Sequence, residues 1–336
     1  MFELIQATPT AFYFNCPAKI GLVRTGESDV CLIDSGNDSS AGKRALRAIT
    51  ENGWTLRAIY HTHAHADHIG GNRYLQAQTG CAVFARGIEC DFTNHPILEP
   101  TLLYGSYPCR DLRHKFLLAE ESVAMPLTDA CLPEGVTATL LPGHSFDMVG
   151  FRTADGAFYI GDALSSRETL DKYALCFLFD VGAYLETLET LKTAEAKIFI
   201  PSHAAPTEDI APLAQCNIDK VLEICEKILT LCRTPLCFDD LLQKIFDAYA
   251  LRLTVEQYAL VGSTLRAYLS YLKDNSKLQF VIEQNKLRFL ATSKKTHPRA
   301  AKSRDTGVIC IIFSGWIFCR AVPWCRRNPR QTKQRE

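Results

Sequence analysis

A chain of 336 residues, 47% hydrophobic and 22% charged, has material for a sizeable core, and its length points to one large or two smaller domains. The 37 Lys and Arg balance 37 Asp and Glu, but eleven of the basic residues follow Thr292 against only Asp305 and Glu336, which leaves 26 basic against 35 acidic over residues 1–292. That acidic surplus excludes a basic nucleic-acid footprint spread over the folded part.

The opening "MFELIQATPTAFYF" has no basic stretch followed by an apolar run, so no secretory signal is expected. Fourteen cysteines with no Cys-x-x-Cys pair then read as free thiols of a reducing, cytoplasmic setting. Two β-rich runs flank a turn in "KIGLVRTGESDVCLIDSG". "AGKRALRAITENG" predicts a helix, "LRAIYHTH" a strand, "GGNRYLQAQTG" a helix and "CAVFAR" a strand. The polar and aromatic stretch from His95 to Lys115 has no clear period and is expected to be a long loop or lid. A strand in "VTATLLPGHS", a hairpin about Asp155-Gly156, a helix in "AYLETLETLKTAEA" and a strand in "AKIFIPSH" follow. Mixed hairpins and crossovers of this kind predict an α/β or α+β domain of sheets covered by helices, over residues 1–210.

From Ala211 apolar residues recur at three- and four-residue spacing in three segments, the last preceded by a capping pattern of Thr254 and Gln257. The strands of "LQFVIEQNKLRFLA" then turn at Gln284-Asn285. Three helices and a hairpin over 211–292 resemble a winged helix. With eight Lys and Arg against six Asp and Glu over 232–292, a packing, dimerising or pocket-closing role is read ahead of nucleic-acid binding. Residues 293–336 are a basic tail expected to be disordered. Its apolar run "GVICIIFSGWIFC" is thirteen residues, short of the roughly 20 a bilayer span needs, so no stable membrane insertion is expected.

The chemistry concentrates in "YHTHAHADHIGG", residues 60–71, where His61, His63, His65 and His68 surround Asp67. A fold has little packing use for so many polar rings in one loop, whereas neutral imidazole and carboxylate are ordinary ligands for zinc and similar ions. Residues two apart in extended chain point the same way, so His63 and His65 can converge, while Asp67 and His68 start the next helix and aim at a second position. Gly70 and Gly71 let backbone approach the site closely. Further ligand candidates end apolar strands: His144 in "LLPGHSFD", Asp162 in "FYIGDAL" and His203 in "IFIPSHAAP". His61, His95, His114 and His297 are left over.

His63-x-His65-x-Asp67-His68, followed in order by His144, Asp162 and His203, resembles the motif series of the metallo-β-lactamase-fold hydrolases, among them hydroxyacylglutathione hydrolase. Asp34 in "VCLIDSG" matches that family's first motif, an aspartate that orients the metal loop. The resemblance covers about residues 10–207 and implies an αββα sandwich with metals at the edge between two sheets. It implies one ion on His63, His65 and His144, another on Asp67, His68 and His203, and Asp162 bridging them. Two divalent ions, zinc first with iron or manganese as alternatives, would then give a bridging hydroxide that attacks an ester, thioester or lactone carbonyl of a small molecule, with Asp67 a candidate proton acceptor. The second reading is a phosphodiesterase or endoribonuclease acting on single-stranded RNA. A homo-oligomer stays open.

Overall fold

Alternating apolar residues build the first sheet from the N-terminus in the computed structural model, which describes residues 2–292. Strands β1 (Glu3–Gln6), β2 (Ala11–Asn15), β3 (Ile20–Arg24) and β4 (Asp29–Ile33) pair antiparallel in sequence order. After α1 (Ser39–Glu51), capped by the Asp38 carboxylate on the Ala41 N–H, the chain adds β5 (Thr55–Tyr60) parallel to β4. The short α2 (Ala66–Ile69) and α3 (Asn72–Thr79) lead to β6 (Ala82–Ala85). Helices α4 (Gly87–Asn94) and α5 (Leu98–Tyr104) precede β7 (Met125–Pro126), which closes a seven-stranded sheet. The second sheet has four strands, in the order β11-β10-β9-β8: β8 (Val136–Leu140), β9 (Val149–Thr153), β10 (Ala157–Gly161) and β11 (Ile198–Pro201). Helices α6 (Arg167–Tyr173) and α7 (Val181–Lys192) make the crossover between the parallel β10 and β11.

Side chains alternate across each strand, so each sheet has two faces to cover. Val23, Cys31, Ile33 and Tyr60 of the first sheet meet Val149, Phe151, Tyr159 and Ile200 of the second in one buried layer. The opposite face of the first sheet, with Phe14, Leu22, Leu32 and Ile59, packs on Ala45 and Ile49 of α1 and Leu75 of α3. The opposite face of the second, with Phe158, Ile160 and Phe199, packs on Leu188 and Leu191 of α7. The result is helix, sheet, sheet, helix, and the Tyr159 hydroxyl crosses the middle to donate to the carbonyls of Phe12 at 2.7 Å and Leu22 at 3.1 Å.

Three helices follow: α8 (Ala211–Leu231), α9 (Phe238–Ala248) and α10 (Val255–Asp274), the last capped by Thr254 on the Gln257 N–H. The hairpin of β12 (Leu278–Glu283) and β13 (Lys286–Ala291) turns at Gln284 and Asn285, both with positive φ, as a two-residue turn between twisted strands requires. Leu236, between α8 and α9, pairs with Phe289 of β13. Ile224, Leu241, Leu265 and Phe289 belong to the same apolar cluster as Phe158 and Phe199, so packing runs without a break past residue 210. Contacts hold the chain up to Thr292 in one unit. The basic tail with its apolar run lies outside the described residues.

The stretch from His95 to Lys115 differs from the expected loop: it contains α5 and a single 3₁₀ turn at Arg110–Leu112. Pro100 sits in the first turn of α5, where its missing N–H removes no helical bond, and Leu103, Leu112 and Leu117 bury against Ala259 of α10. Non-local packing, invisible in local periodicity, makes this helix. No helix among the described residues is long and apolar enough to cross a membrane.

Candidate metal centre

Four strand ends deliver the site. β5 runs into residues 61–65, β8 into the turn of His144, β10 into Asp162 and β11 into His203, all at one edge between the sheets. Their ligand atoms fall into three groups: His63, His65 and His144; His63, His68 and Asp162; and Asp67, His68 and His203. All seven residues that the sequence singled out as ligands are therefore brought together, and His95 and His114 lie outside these groups.

The protons of each ring follow from its outer partner. Thr62 Oγ1 donates to the acceptor-only Asp34 carboxylate at 2.8 Å, so it accepts from His63 Nδ1–H at 3.0 Å and leaves a lone pair on His63 Nε2. His144 Nδ1–H donates to the Phe177 carbonyl at 3.1 Å, which leaves a lone pair on its Nε2. Both lone pairs face His65 Nδ1, each at 3.0 Å. A single proton on His65 satisfies only one of them, whereas one cation satisfies all three. On the other side His68 Nδ1–H donates to Asp34 at 2.9 Å, and its Nε2 is buried without a hydrogen-bond partner, as is Asp162 Oδ1, 3.3 Å away. His203 Nδ1–H donates to the Pro17 carbonyl at 2.9 Å, turning Nε2 toward Asp67 and Asp162, each at 3.2 Å.

Orphaned buried acceptors of this kind are costly unless a cation joins them, and nitrogen and carboxylate donors at these separations fit divalent ions. The electrostatics agree. Burial, together with the neighbouring imidazoles, holds His63 well below the ordinary histidine range and His65 at about 3, so both are neutral, as ligands must be. Burial likewise lowers His144. At His68 and His203 burial acts in the same direction, but Asp162 and Asp67 outweigh it and raise both, His203 to about 10. The carboxylates thus demand positive charge at this point, which a metal ion supplies as well as protons do.

Asp34 is the hub behind the rings. It sits at φ +64°, a left-handed conformation that Asp tolerates better than most residues, and is almost wholly buried. Its carboxylate accepts from Thr62 N–H, Thr62 Oγ1, His61 Nδ1 and His68 Nδ1. Burial opposes its ionisation, yet His68 and His61 hold it below the usual carboxylate range. His61, left over in the sequence, is fully buried between Asp34 at 3.2 Å and Asn72 at 2.9 Å, so it fixes the hub rather than an ion.

Gly70 and Gly71 differ from their expected role: a Cβ would stand 2.4 Å from the Asn37 carbonyl and 2.3 Å from Ser35 O. Their smallness seats α2 on the loop after β4, because two backbones meet there, and not on the metal face. Two glutamates had no sequence signal. Glu89 of α4 accepts from the Ala64 N–H at 2.9 Å, the Asp147 N–H at 3.1 Å and Ser145 Oγ, so it ties the His63–His65 loop to the His144 loop. Glu99 of α5 accepts from the Ala66 N–H at 3.0 Å. Lys19 Nζ donates to the Ala204 carbonyl at 2.7 Å and steadies the turn of His203.

Comparison with known proteins bears on the family and the fold. Residues 14–203 match the family model of the metallo-β-lactamase superfamily. The hydroxyacylglutathione hydrolase of Rhodospirillum rubrum is 29% identical over 148 residues, 44% of this chain and 48% of that protein. The hydroxyacylglutathione hydrolase of Methylococcus capsulatus is 30% identical over 166 residues, 48% and 54%. The chain thus spans about half the length of these curated relatives. Among solved structures, a β-lactamase domain protein from Burkholderia ambifaria superposes with a TM-score of 0.67 at 17% identity, covering 86% of this chain and 94% of its own. A metallo-β-lactamase family protein from Thermus thermophilus gives 0.64 at 18%, covering 84% and 99%. At such identities these structures speak for the fold alone.

Proposed function

The chain belongs to the metallo-β-lactamase superfamily, and on that premise we propose that it is a metal-dependent hydrolase that cleaves an ester, thioester or lactone of a small molecule. The observation that carries the reading is the convergence of unshared, buried nitrogen and oxygen donors at one sheet edge. His63, His65 and His144 would hold one ion and Asp67, His68 and His203 another. Asp162, with Oδ1 toward His68 and Oδ2 toward His144 and His203, would be shared. Bound there, two divalent ions lower the pKa of water and polarise a carbonyl oxygen. Zinc suits the donor set, and iron and manganese accept it too.

The protein's own groups do the remaining work. Asp34, Thr62 and the carbonyls of Phe177 and Pro17 fix the ring orientations. Asp67, about a third exposed beside a cleft, would be the carboxylate that takes a proton during turnover in this reading. That cleft, which His203 also lines, has a volume of about 240 Å³, small against the roughly 300–1,000 Å³ of pockets for drug-sized ligands. Its size supports a small acyl compound rather than a polymer, and relatives named hydroxyacylglutathione hydrolase support the same class.

Purified protein loaded with zinc, tested on S-acyl thioesters, lactones, bis(p-nitrophenyl) phosphate and single-stranded RNA, checks this. Two equivalents of metal and acyl hydrolysis that stops with chelator and returns with zinc are the expected result. Cleavage confined to the phosphodiester or RNA would overturn the acyl reading, and failure to bind metal would overturn the whole.

A further inference from the structure

The cleft that reaches Asp67 and His203 is walled on another side by α1, and among the described residues Arg44 is the only arginine or lysine that lines it. Three other nearby cations are already engaged, and Lys43, beside Arg44 on α1, does not line the cleft. Lys115 pairs with Asp38 at 3.0 Å, Arg47 with Glu51 at 2.7 Å, and Lys19 is spent on the Ala204 carbonyl. Arg44 is different: among the described residues no carboxylate lies within 4 Å of it. Its Nε donates to the Ser40 carbonyl at 3.3 Å, and its guanidinium carbon stands 4.6 Å from the centre of the Phe2 ring, which also lines the cleft. One donor is thus used to orient the group and one face is stacked, which leaves the terminal N–H pairs uncommitted. Among the described residues the only acid lining the cleft is Asp67, a proposed ligand whose negative charge cations bound at the metal centre would offset.

We propose that Arg44 forms an anion subsite of this cleft, so that the substrate is a small acyl compound bearing a carboxylate besides its scissile carbonyl; this rests on the hydrolase reading above. The planar fork of guanidinium matches a carboxylate with two parallel hydrogen bonds. The apolar surfaces of Phe2, Pro17 and Phe116 take the short chain between the two ends.

Two matched substrate pairs test it on the full-length, metal-loaded protein. One pair places the carboxylate on the acyl side, mono-4-nitrophenyl glutarate against 4-nitrophenyl butyrate. The other places it on the leaving group, S-acetyl-3-mercaptopropionate against S-acetyl-N-acetylcysteamine. In at least one pair kcat/KM favours the carboxylated member by about tenfold, the scale of one charge-assisted contact. Arg44→Gln brings that ratio close to one, Arg44→Lys retains part of it, and Lys43→Gln, which removes a neighbouring exposed charge outside the cleft, keeps it. A readout independent of turnover is calorimetric binding: the affinity of glutarate relative to butyrate falls in Arg44→Gln by the same factor. Hydrolysis with no preference in either pair, or a preference that survives in Arg44→Gln, overturns the subsite and leaves the hydrolase standing. Hydrolysis of none of the four, with lactones also left intact, overturns the hydrolase reading and the subsite with it.

Discussion

The two halves of the metal centre use nearly the same residue types and sit in opposite electrical states. His63, His65 and His144 are an all-imidazole group that burial keeps neutral, with two of the rings oriented by uncharged partners, Thr62 Oγ1 and the Phe177 carbonyl. Asp67, His68 and His203 form a group in which carboxylates pull the imidazoles toward the cationic form, with His68 oriented by the charged Asp34. Proximity alone therefore does not set the behaviour of a histidine here. His63 and His68 have ring centres only 4.1 Å apart and shift in opposite directions, because Asp162 and Asp67 face one ring far more closely than the other.

Asp162→Ala is expected to have the largest effect, since its two oxygens face both halves. Elemental analysis should show both ions lost, and kcat/KM on any acyl substrate should fall by about a thousandfold or more. Full retention of one ion would mean that the halves are independent. Asp34→Asn comes next: an amide offers one acceptor oxygen where four donors converge, so the ion of the Asp67–His68–His203 group should bind about 10–100-fold more weakly, with a smaller loss at the other through Thr62, which links Asp34 to His63. Titration with a chelator reads the two steps. Glu89→Gln is the mirror experiment, loosening the His63–His65 and His144 loops together, with an expected loss of about tenfold confined to the all-imidazole group. Release from the other group first in that variant would break the assignment of separate supports.

Acid and base should also separate the halves in metal-stripped protein. A histidine whose folded pKa is depressed adds stability above its unfolded value near 6.5 and loses it as pH falls toward the folded value. For His65, held at about 3, the loss at pH 5 is on the order of 2 kcal/mol. His203, raised to about 10, behaves in reverse: its contribution is complete below about pH 6.5 and disappears as pH rises through 10. Melting temperatures from pH 7 down to 5 should therefore fall, and fall less in His65→Gln. An unchanged slope in that variant would break the neutral assignment.

Much of the fold was legible because its signals are local. Alternation marked β3 to β6 and β8 to β11, and the three-and-four spacing marked α8 to α10. The two-residue turn of the last hairpin was also readable, since side-chain period and turn conformation depend on neighbours in the chain. The N-terminal hairpin of β1 and β2 and helices α4, α5 and α6 were not read. α5 owes its burial to α10, far along the chain, and so shows little local pattern of its own. In the site, the spacing of His63, His65, Asp67 and His68 was visible as an unusual density of polar rings, and that density singles out a metal loop without any structure. Glu89 and Glu99 were not visible, because an isolated glutamate reads as surface until a backbone N–H is found against it.

Residue type and spacing alone thus determined which side chains can donate to a metal and which strands carry them to one sheet edge. The tertiary structure decided the protonation and orientation of each ring, since those depend on backbone carbonyls of Pro17 and Phe177, which any residue could supply, and on an aspartate some thirty positions from His61 and His68. It also decided that His61 serves Asp34 rather than an ion, and that Arg44 faces the cleft uncommitted. A hydrogen bond is set by distance and direction in space, and sequence separation carries neither.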